Sequence, residues 1–406
     1  MNGRTTRGVI GTCAAVLAFA CGTAHGMDAA HRAKAEEMRA KAAEWLRGQQ
    51  DVASGGWKTA GEGPQFPAIS AMAATGLVRE GGATNEAAAE RAAGYILTFR
   101  QADGGIYDRI LPSYNTSIVL SFLAHVDTPE SREAIKDAQD FLRSLQWSEA
   151  SSLSSATPEI STAVDKSHPF YGGIGYGRHG RPDLSNLAFM LQGLHDTGVP
   201  GEDPAFQRAL VFLARVQMVD SVNDMPYADG TKQGGFIYAT SVNKDQVGSG
   251  QTQVAEQIAM VEETLDDGTK VSRLRCYGSM TYAGFKSLIY ADLARDDERV
   301  RAAYDWIRRF YTMDENPAMG TDGLYYYYVM ASRALRAWGG DEIVTLNEQG
   351  GSGATRDWAN DLVDALAELQ EPDGSFRSVD DRWMENNTLL ITAYSLLSLQ
   401  EASGVE

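Results

Sequence analysis

Three carboxylates fall within six residues near the C-terminal end of the chain: Asp380, Asp381 and Glu385, with Trp383 and Asn386 among them. In a site partly screened from water, one such carboxyl is held protonated while a neighbour stays ionised, so acid and base roles divide between them. The competing reading is a solvated turn that caps the following helix. A second group, His168, Tyr171, Asp183, Ser185 and Asn186, joins a candidate base to a carboxylate and hydroxyls. His168 has the ring chemistry for proton transfer, although a lone loop histidine before Pro169 also suits packing. Asp183-Leu184-Ser185-Asn186 is equally a helix N-cap sequence. Cys276, Tyr277, Ser279, Thr281 and Tyr282 form a third group. Cys276 needs a nearby base to act as a nucleophile, and a buried inert thiol is the plainer expectation. The catalytic candidates are therefore Asp183, Asp380, Asp381, Glu385, Tyr277 and His168.

Aromatic and amide side chains supply the binding candidates. Tyr114 and Asn115 stand before an apolar stretch, and Tyr325-Tyr326-Tyr327-Tyr328 open another. Consecutive helical positions point in different directions, so at most two of these four tyrosines share one face. Aromatic walls stabilise cations or stack on sugars. With Tyr171, Ser185, Asn186, Ser279, Tyr282, Trp383 and Asn386, residues Tyr114, Asn115, Tyr325 and Tyr326 make up the expected binding surface. The six histidines are scattered without ligand spacing, so neither a metal nor another cofactor is expected. Turns such as Asp103-Gly104-Gly105 lack the strand and the Lys of a phosphate loop.

What must position these groups is a repeat. Six times, an amphipathic segment with an aromatic–aliphatic or small–aliphatic pair leads into a Gly-containing turn and then an apolar segment. The pairs are Trp45-Leu46, Tyr95-Ile96, Phe141-Leu142, Phe212-Leu213, Trp306-Ile307 and Ala365-Leu366. Gln50, Gln101, Gln146, Gln217 and Gln370 follow five of them. The turns include Gly55-Gly56-Trp57, Gly104-Gly105-Ile106-Tyr107, Gly172-Gly173-Ile174-Gly175-Tyr176, Gly234-Gly235-Phe236 and Asp373-Gly374-Ser375-Phe376. A two-helix unit cannot bury its apolar face alone, whereas stacked units share one core. Nearly all-apolar segments such as Asn186–Leu191 and Leu389–Tyr394 read as inner helices, and charged-faced ones such as Asp361–Leu366 as outer helices. The expected inner helices run from about 68 to 78, 116 to 125, 184 to 195, 281 to 294, up to 337, and 388 to 399. Little sheet is expected, because few windows alternate with period two.

Lys41–Trp57 resembles the QW repeat of squalene and other triterpene cyclases, with one residue inserted before Gly55. Arg208–Gln217 matches the first half of that repeat, and Gln370–Phe376 the second half with Phe for Trp. Tyr277–Gly284 followed by Asp296–Val300 resembles the long block of an exported bacterial squalene-cyclase-like subgroup. The likeness to this squalene cyclase and protein prenyltransferase superfamily spans nearly the whole mature chain. It implies an all-α (α/α)6 toroid, a closed double ring of twelve helices around a central cavity, as one domain over 27–406. Two of the superfamily's motifs depart here. The Asp-any-Asp-Asp acid motif is matched only by Ser378-Val379-Asp380-Asp381, and the zinc-binding Asp two residues before a Cys is replaced in Leu274-Arg275-Cys276.

The first 26 residues read as an export signal, with Arg4 and Arg7 ahead of an apolar run from Val9 to Ala20 that is short for a bilayer span. Cleavage after Ala20 or after Gly26 fits, and lipidation at Cys21 is a minor alternative. A periplasmic or extracellular location follows. Loss of Arg4 and Arg7 takes the net charge from −18 to −20, which argues against nucleic acid or an anionic membrane surface as partner. No transmembrane segment is expected in the mature chain, and with Cys13 and Cys21 at the signal only Cys276 remains. The leading expectation is a small hydrophobic or polyprenoid-like ligand in a central cavity, handled by acid–base chemistry as in a cyclase or isomerase. A polysaccharide lyase or hydrolase is the alternative, favoured if Arg109, Arg178, Arg181 and Arg275 line the cavity. A non-catalytic binding scaffold is the third.

Overall fold

The computed structural model describes residues 26–58, 63–149, 163–177, 180–347 and 349–405. The expected export signal lies outside them except for Gly26, as do Cys21 and Arg178. Among the described residues twelve α-helices form six hairpins. The first members are α1 (Ala29–Gly48), α3 (Ala83–Leu97), α5 (Pro129–Leu145), α7 (Pro204–Val216), α9 (Glu298–Arg309) and α11 (Trp358–Ala367). The second members are α2 (Pro67–Glu80), α4 (Pro112–Leu123), α6 (Leu184–Asp196), α8 (Gly278–Tyr290), α10 (Leu324–Trp338) and α12 (Thr388–Ser403). Proline at the first position starts α2, α4, α5 and α7, where its missing N–H has no intrahelical partner to lose. Asp28, Asp183, Asp297, Asp357 and Asn387 accept from backbone N–H groups at five other helix starts.

The second helices pack side by side in the order α2, α4, α6, α8, α10, α12, and α12 packs on α2. The inner ring is therefore closed. Its members are buried nearly all round, as in Ala68–Leu77 of α2 and Leu390–Gln400 of α12. The first helices bury one face only, as in α5 and α9. The expected double ring is the observed one, and this all-α toroid is the fold of the chain.

The repeated glutamines explain the spacing of the outer ring. Gln50 Nε2 donates to the Gly55 carbonyl of its own turn and to the Ala88 carbonyl of the next outer helix, at 2.7 and 2.8 Å. Gln146 joins Gly172 to Ala205, and Gln217 joins Gly234 to Arg299. Gln370 joins Gly374 to Met38 of α1, so the same staple closes the circle. Gln101 departs from the rule and bonds Phe99 and Tyr107 within its own hairpin. Each staple brings a turn against a neighbouring helix backbone. At Gly374, with φ +93°, a Cβ would stand 2.4 Å from the Lys41 carbonyl oxygen, so only glycine fits. In four of the six hairpins the residue ending the turn is tied inward: Trp57, Ile106, Phe236 and Phe376 donate their N–H to hydroxyls of Ser70, Thr116, Thr281 and Thr392 on the inner helices.

Among the described residues sheet is confined to three two-stranded hairpins: β1 (Ala239–Ser241) with β2 (Val247–Gln251), β3 (Met260–Thr264) with β4 (Lys270–Leu274), and β5 (Glu342–Leu346) with β6 (Ser352–Asp357). The first two fill the excursion between α7 and α8. Among the described residues no helix is long and apolar enough to cross a membrane.

Candidate functional site

The inner helices are parallel, and their N-terminal ends gather at one mouth of the ring. A cavity of about 190 Å³ opens there. Six tyrosines line it: Tyr114 from α4, Tyr176 and Tyr238 from the loops before α6 and β1, Tyr277 at the start of α8, Tyr326 from α10 and Tyr394 from α12. Met72, Met280, Met384, Phe66 and Trp383 supply most of the remaining bulk. Several hydroxyls are paired across the wall: Tyr114 with Tyr394 at 3.2 Å, Tyr176 with Tyr238 at 3.2 Å, and Ser185 with Tyr326 at 3.0 Å.

Among the described residues Glu385 is the one charged member of this lining. It is fully buried. Its Oε2 accepts from the Tyr325 N–H at 3.1 Å and its Oε1 from the Tyr326 N–H at 2.8 Å, so a side chain of the sixth hairpin caps the helix of the fifth. Those bonds favour the carboxylate, but burial outweighs them, and with the charge of nearby Asp380 it pushes the Glu385 carboxyl up to about 7. Near neutral pH this group is a carboxylic acid about half the time, placed where it can give up a proton.

The backbone leading to Glu385 is strained. Trp383 has φ +54° and Met384 φ +68°, a left-handed conformation that costs roughly 1–2 kcal/mol for each residue with a Cβ. Arg382 holds this segment by an ion pair to Asp322 at 2.6 Å and by stacking on the Trp383 ring at 4.1 Å. Leu111, also at the cavity, has φ +51°. Non-glycine residues in such conformations concentrate at functional sites, because the surrounding structure must hold them there.

Asp183 lies one layer behind the tyrosines. It is buried, caps α6 through the Asn186 N–H at 2.9 Å, and receives both carboxylate bonds from the Asn186 amide. Burial pushes it up to about 6, while Asn186, Arg181 and Tyr238 pull the other way. Tyr238 thus has the Asp183 carboxylate on one side and the Tyr176 hydroxyl on the other.

The structure brings Tyr114, Ser185, Tyr277, Ser279, Tyr326, Trp383 and Glu385 to one cavity. Other expected residues stand elsewhere. Of the acid cluster, Asp381 and Asn386 face solvent and Asp380 caps the Arg382 N–H at 2.7 Å, because the strained turn aims only Glu385 inward. His168 stacks parallel to Trp147, and its Nδ1 accepts from the Phe170 N–H at 3.1 Å. Burial lowers its basicity, so it serves packing. Tyr171 bonds Glu149 at 3.0 Å, outside the cavity. Asn115 is an internal latch, accepting from Ala68 and donating to Ile110 and Leu111. Of the four consecutive tyrosines only Tyr326 faces the cavity. Tyr325, Tyr327 and Tyr328 reach the carbonyls of Arg377, Thr312 and Met313, and Tyr282 packs edge-on against Tyr327. Cys276 is buried, which pushes its thiol well up and leaves it inert as a nucleophile. Arg109, Arg181 and Arg275 do not line the cavity.

Tyr176, Tyr238, Gln253 and Tyr394 were not among the expected site residues. Tyr176 and Tyr238 each stand two residues past the buried turn residues Ile174 and Phe236, and period-two extended chain puts all four on one inward face. That spacing is a signal the repeat carried. Gln253 has none, since it belongs to the excursion outside the repeat.

No family model matches the chain, and no curated protein is similar to it. Solved structures are. A type II terpene cyclase from Scytonema, in complex with geranylgeranyl dihydroxybenzoate, is 12% identical over 93% of this chain and 99% of that one, with a TM-score of 0.51. An α-1,6-mannanase of Salegentibacter sp., in complex with α-1,6-mannotriose, is 8% identical over 92% of this chain and 100% of that one, with a TM-score of 0.54. At these identities the likeness is one of fold, the helical toroid, and the two relatives act on unlike molecules. Function must therefore be argued from the site.

Proposed function

We propose that this chain is an exported enzyme that binds a small apolar, polyprenoid-like molecule in the tyrosine-lined cavity and isomerises or cyclises it by proton transfer. The observation that carries the reading is the composition of the cavity: a single carboxylic acid poised near neutrality within an aromatic and methionine wall. Protonated Glu385 gives its proton to one carbon of a carbon–carbon double bond, whose electron pair forms the new C–H bond. The neighbouring carbon is left cationic, and a second double bond attacks it to close a ring. The faces of Tyr326, Tyr277 and Trp383 carry negative quadrupole toward that charge and stabilise it. Tyr238 accepts the proton released when the ring cation collapses to an alkene while passing its own to the Asp183 carboxylate, and exchange with water afterwards returns a proton to Glu385 and removes one from Asp183. Acid and base are thus two buried carboxyl groups whose surroundings set them different tasks.

A glycan substrate fits this cavity less well, since several of its hydroxyls are already paired with one another and the three described arginines named for that reading stand outside it. The test is mass spectrometry of small molecules extracted from the purified mature protein, followed by turnover assays with the class recovered. A bound polyprenoid whose conversion is lost in Glu385→Gln is the expected result. Recovery of oligosaccharide, or full turnover by Glu385→Gln, sinks the proposal.

A further inference from the structure

The opposite mouth of the ring holds a second, larger cavity of about 690 Å³. It collects the C-terminal turns of all six inner helices, including Arg79 of α2, Ser121 of α4, Gln192 of α6, Tyr290 of α8, Arg333 of α10 and Glu401 of α12. A narrow apolar seam containing Met72, Phe189 and Tyr394 separates it from the tyrosine cavity, and Arg333 stands where the seam meets the lower cavity. Nothing in the proton-transfer reading uses this space.

Cations at helix C-termini are expected on electrostatic grounds, because the last carbonyls carry partial negative charge. Several charged groups here are accounted for in this way or by pairing. Arg79 donates to Glu401 at 2.8 Å and to the Val405 carbonyl. Lys286, buried behind the wall, donates to Gln192 Oε1 at 2.7 Å, and Gln192 in turn donates to Asp196 at 2.6 Å. Arg333 and Arg336 are not engaged in this way. The Arg333 side chain is 11% exposed, and its one charged contact is 3.9 Å from Nε to Glu401, a carboxylate already engaged by Arg79. Among the described residues its guanidinium makes no hydrogen bond. Its five N–H donors in a fixed fork stand on the cavity wall without an acceptor among the described side chains, free to take the oxygen atoms of a ligand. Arg336 lies one turn further along the same face of α10 and also lines the cavity.

We infer that this lower cavity is a binding site for the oxyanion of a small ligand, a carboxylate or a phosphate, gripped by the Arg333 fork with Arg336 beside it. The rest of the wall suits a polar remainder, since Ser121, Gln192, Asp196 and Tyr290 present both donors and acceptors. Overall charge does not draw the ligand in, because Arg79, Arg333 and Arg336 share the cavity with Asp196, Asp292 and Glu401, and the helix C-termini gathered there add partial negative charge. Recognition is local and bidentate, the arrangement for which arginine rather than lysine is suited.

Calorimetric titration of the mature chain with inorganic phosphate, and separately with acetate, tests this. Saturable binding of either anion is expected, weakened at least tenfold in Arg333→Gln and unchanged in Lys232→Gln, an exposed surface lysine. Which anion binds tells whether the ligand carries phosphate or carboxylate. If Arg333→Gln fails to fold, Arg336→Gln decides, and a several-fold loss of affinity is expected there. Unaltered affinity in whichever variants fold, or no saturable binding of either anion, overturns the assignment and leaves Arg333 as a neutraliser of helix ends. None of these outcomes depends on turnover in the tyrosine cavity.

Discussion

Glu385→Gln isolates the titration on which the proposed proton donation depends. In the folded chain this carboxyl is pushed up to about 7 from an ordinary 4.5. The folded state therefore holds the proton more tightly than the unfolded state, and native stability falls as pH rises between those values. From pH 5 to pH 8 that loss is about 2.5 kcal/mol for the native protein and nil for the variant. For the roughly 360 described residues it corresponds to about 3 °C in Tm. The glutamine amide keeps one acceptor, so one of the N–H groups of Tyr325 and Tyr326 loses its partner, at about 1–3 kcal/mol. That penalty is the same at every pH and cancels from the comparison. Melting curves of both proteins, followed by circular dichroism at pH 5 and pH 8, give the answer. The variant's Tm should gain about 3 °C on the native protein between the two conditions. If the two Tm values move in parallel, Glu385 is an ordinary carboxylate, and its role as a proton donor near neutrality falls with it.

Turnover itself should decline as pH rises through about 7, the mark of a required acid, and a flat profile from pH 6 to 8 contradicts the assignment. Lys286 is buried and pushed down to about 7, so folding at neutral pH forces a proton off it or buries its charge. Lys286→Met should therefore stabilise the chain, by about 3 kcal/mol more at pH 7 than at pH 10, measured by urea unfolding at the two pH values. Gln370→Ala leaves the Met38 and Gly374 carbonyls without their donor, and a loss of about 1–3 kcal/mol is expected on thermal melting. Met384→Gly removes the left-handed strain next to Glu385. An unchanged or raised Tm with slower turnover is the expected outcome, and lowered stability contradicts the account of strain.

The architecture was legible because its links are written as residue types. Glutamine at the end of an outer helix, glycine in the turn and a hydroxyl on the inner helix each mark a hydrogen bond or a close approach that recurs, so the repeat could be read without knowing the partners. The acid cluster was legible only as composition. Asp380, Asp381 and Glu385 look alike in sequence, and what separates them is the left-handed turn at Trp383-Met384, which no side-chain type announces. His168 illustrates the converse. A histidine near aromatic residues suggests proton transfer, yet stacking on Trp147 and one backbone bond use up its face and its Nδ1. Tyr394 belonged to a helix correctly taken as inner, but which side of an inner helix meets the axis depends on how α12 settles against α2. That contact joins residues more than three hundred positions apart.

The staple from Gln370 to Met38 also changes how the protein should open. An array of helical hairpins with free ends frays from its terminal units, since each of those has a neighbour on one side only. Here α1 and α12 have neighbours on both sides, and no hairpin is peripheral. Amide hydrogen exchange in α12 should then be as slow as in α6, on the far side of the ring, and proteolytic nicking should begin in surface excursions such as the one between α7 and α8. Opening becomes a property of the whole circle, and the two cavities along its axis share whatever rigidity that circle confers.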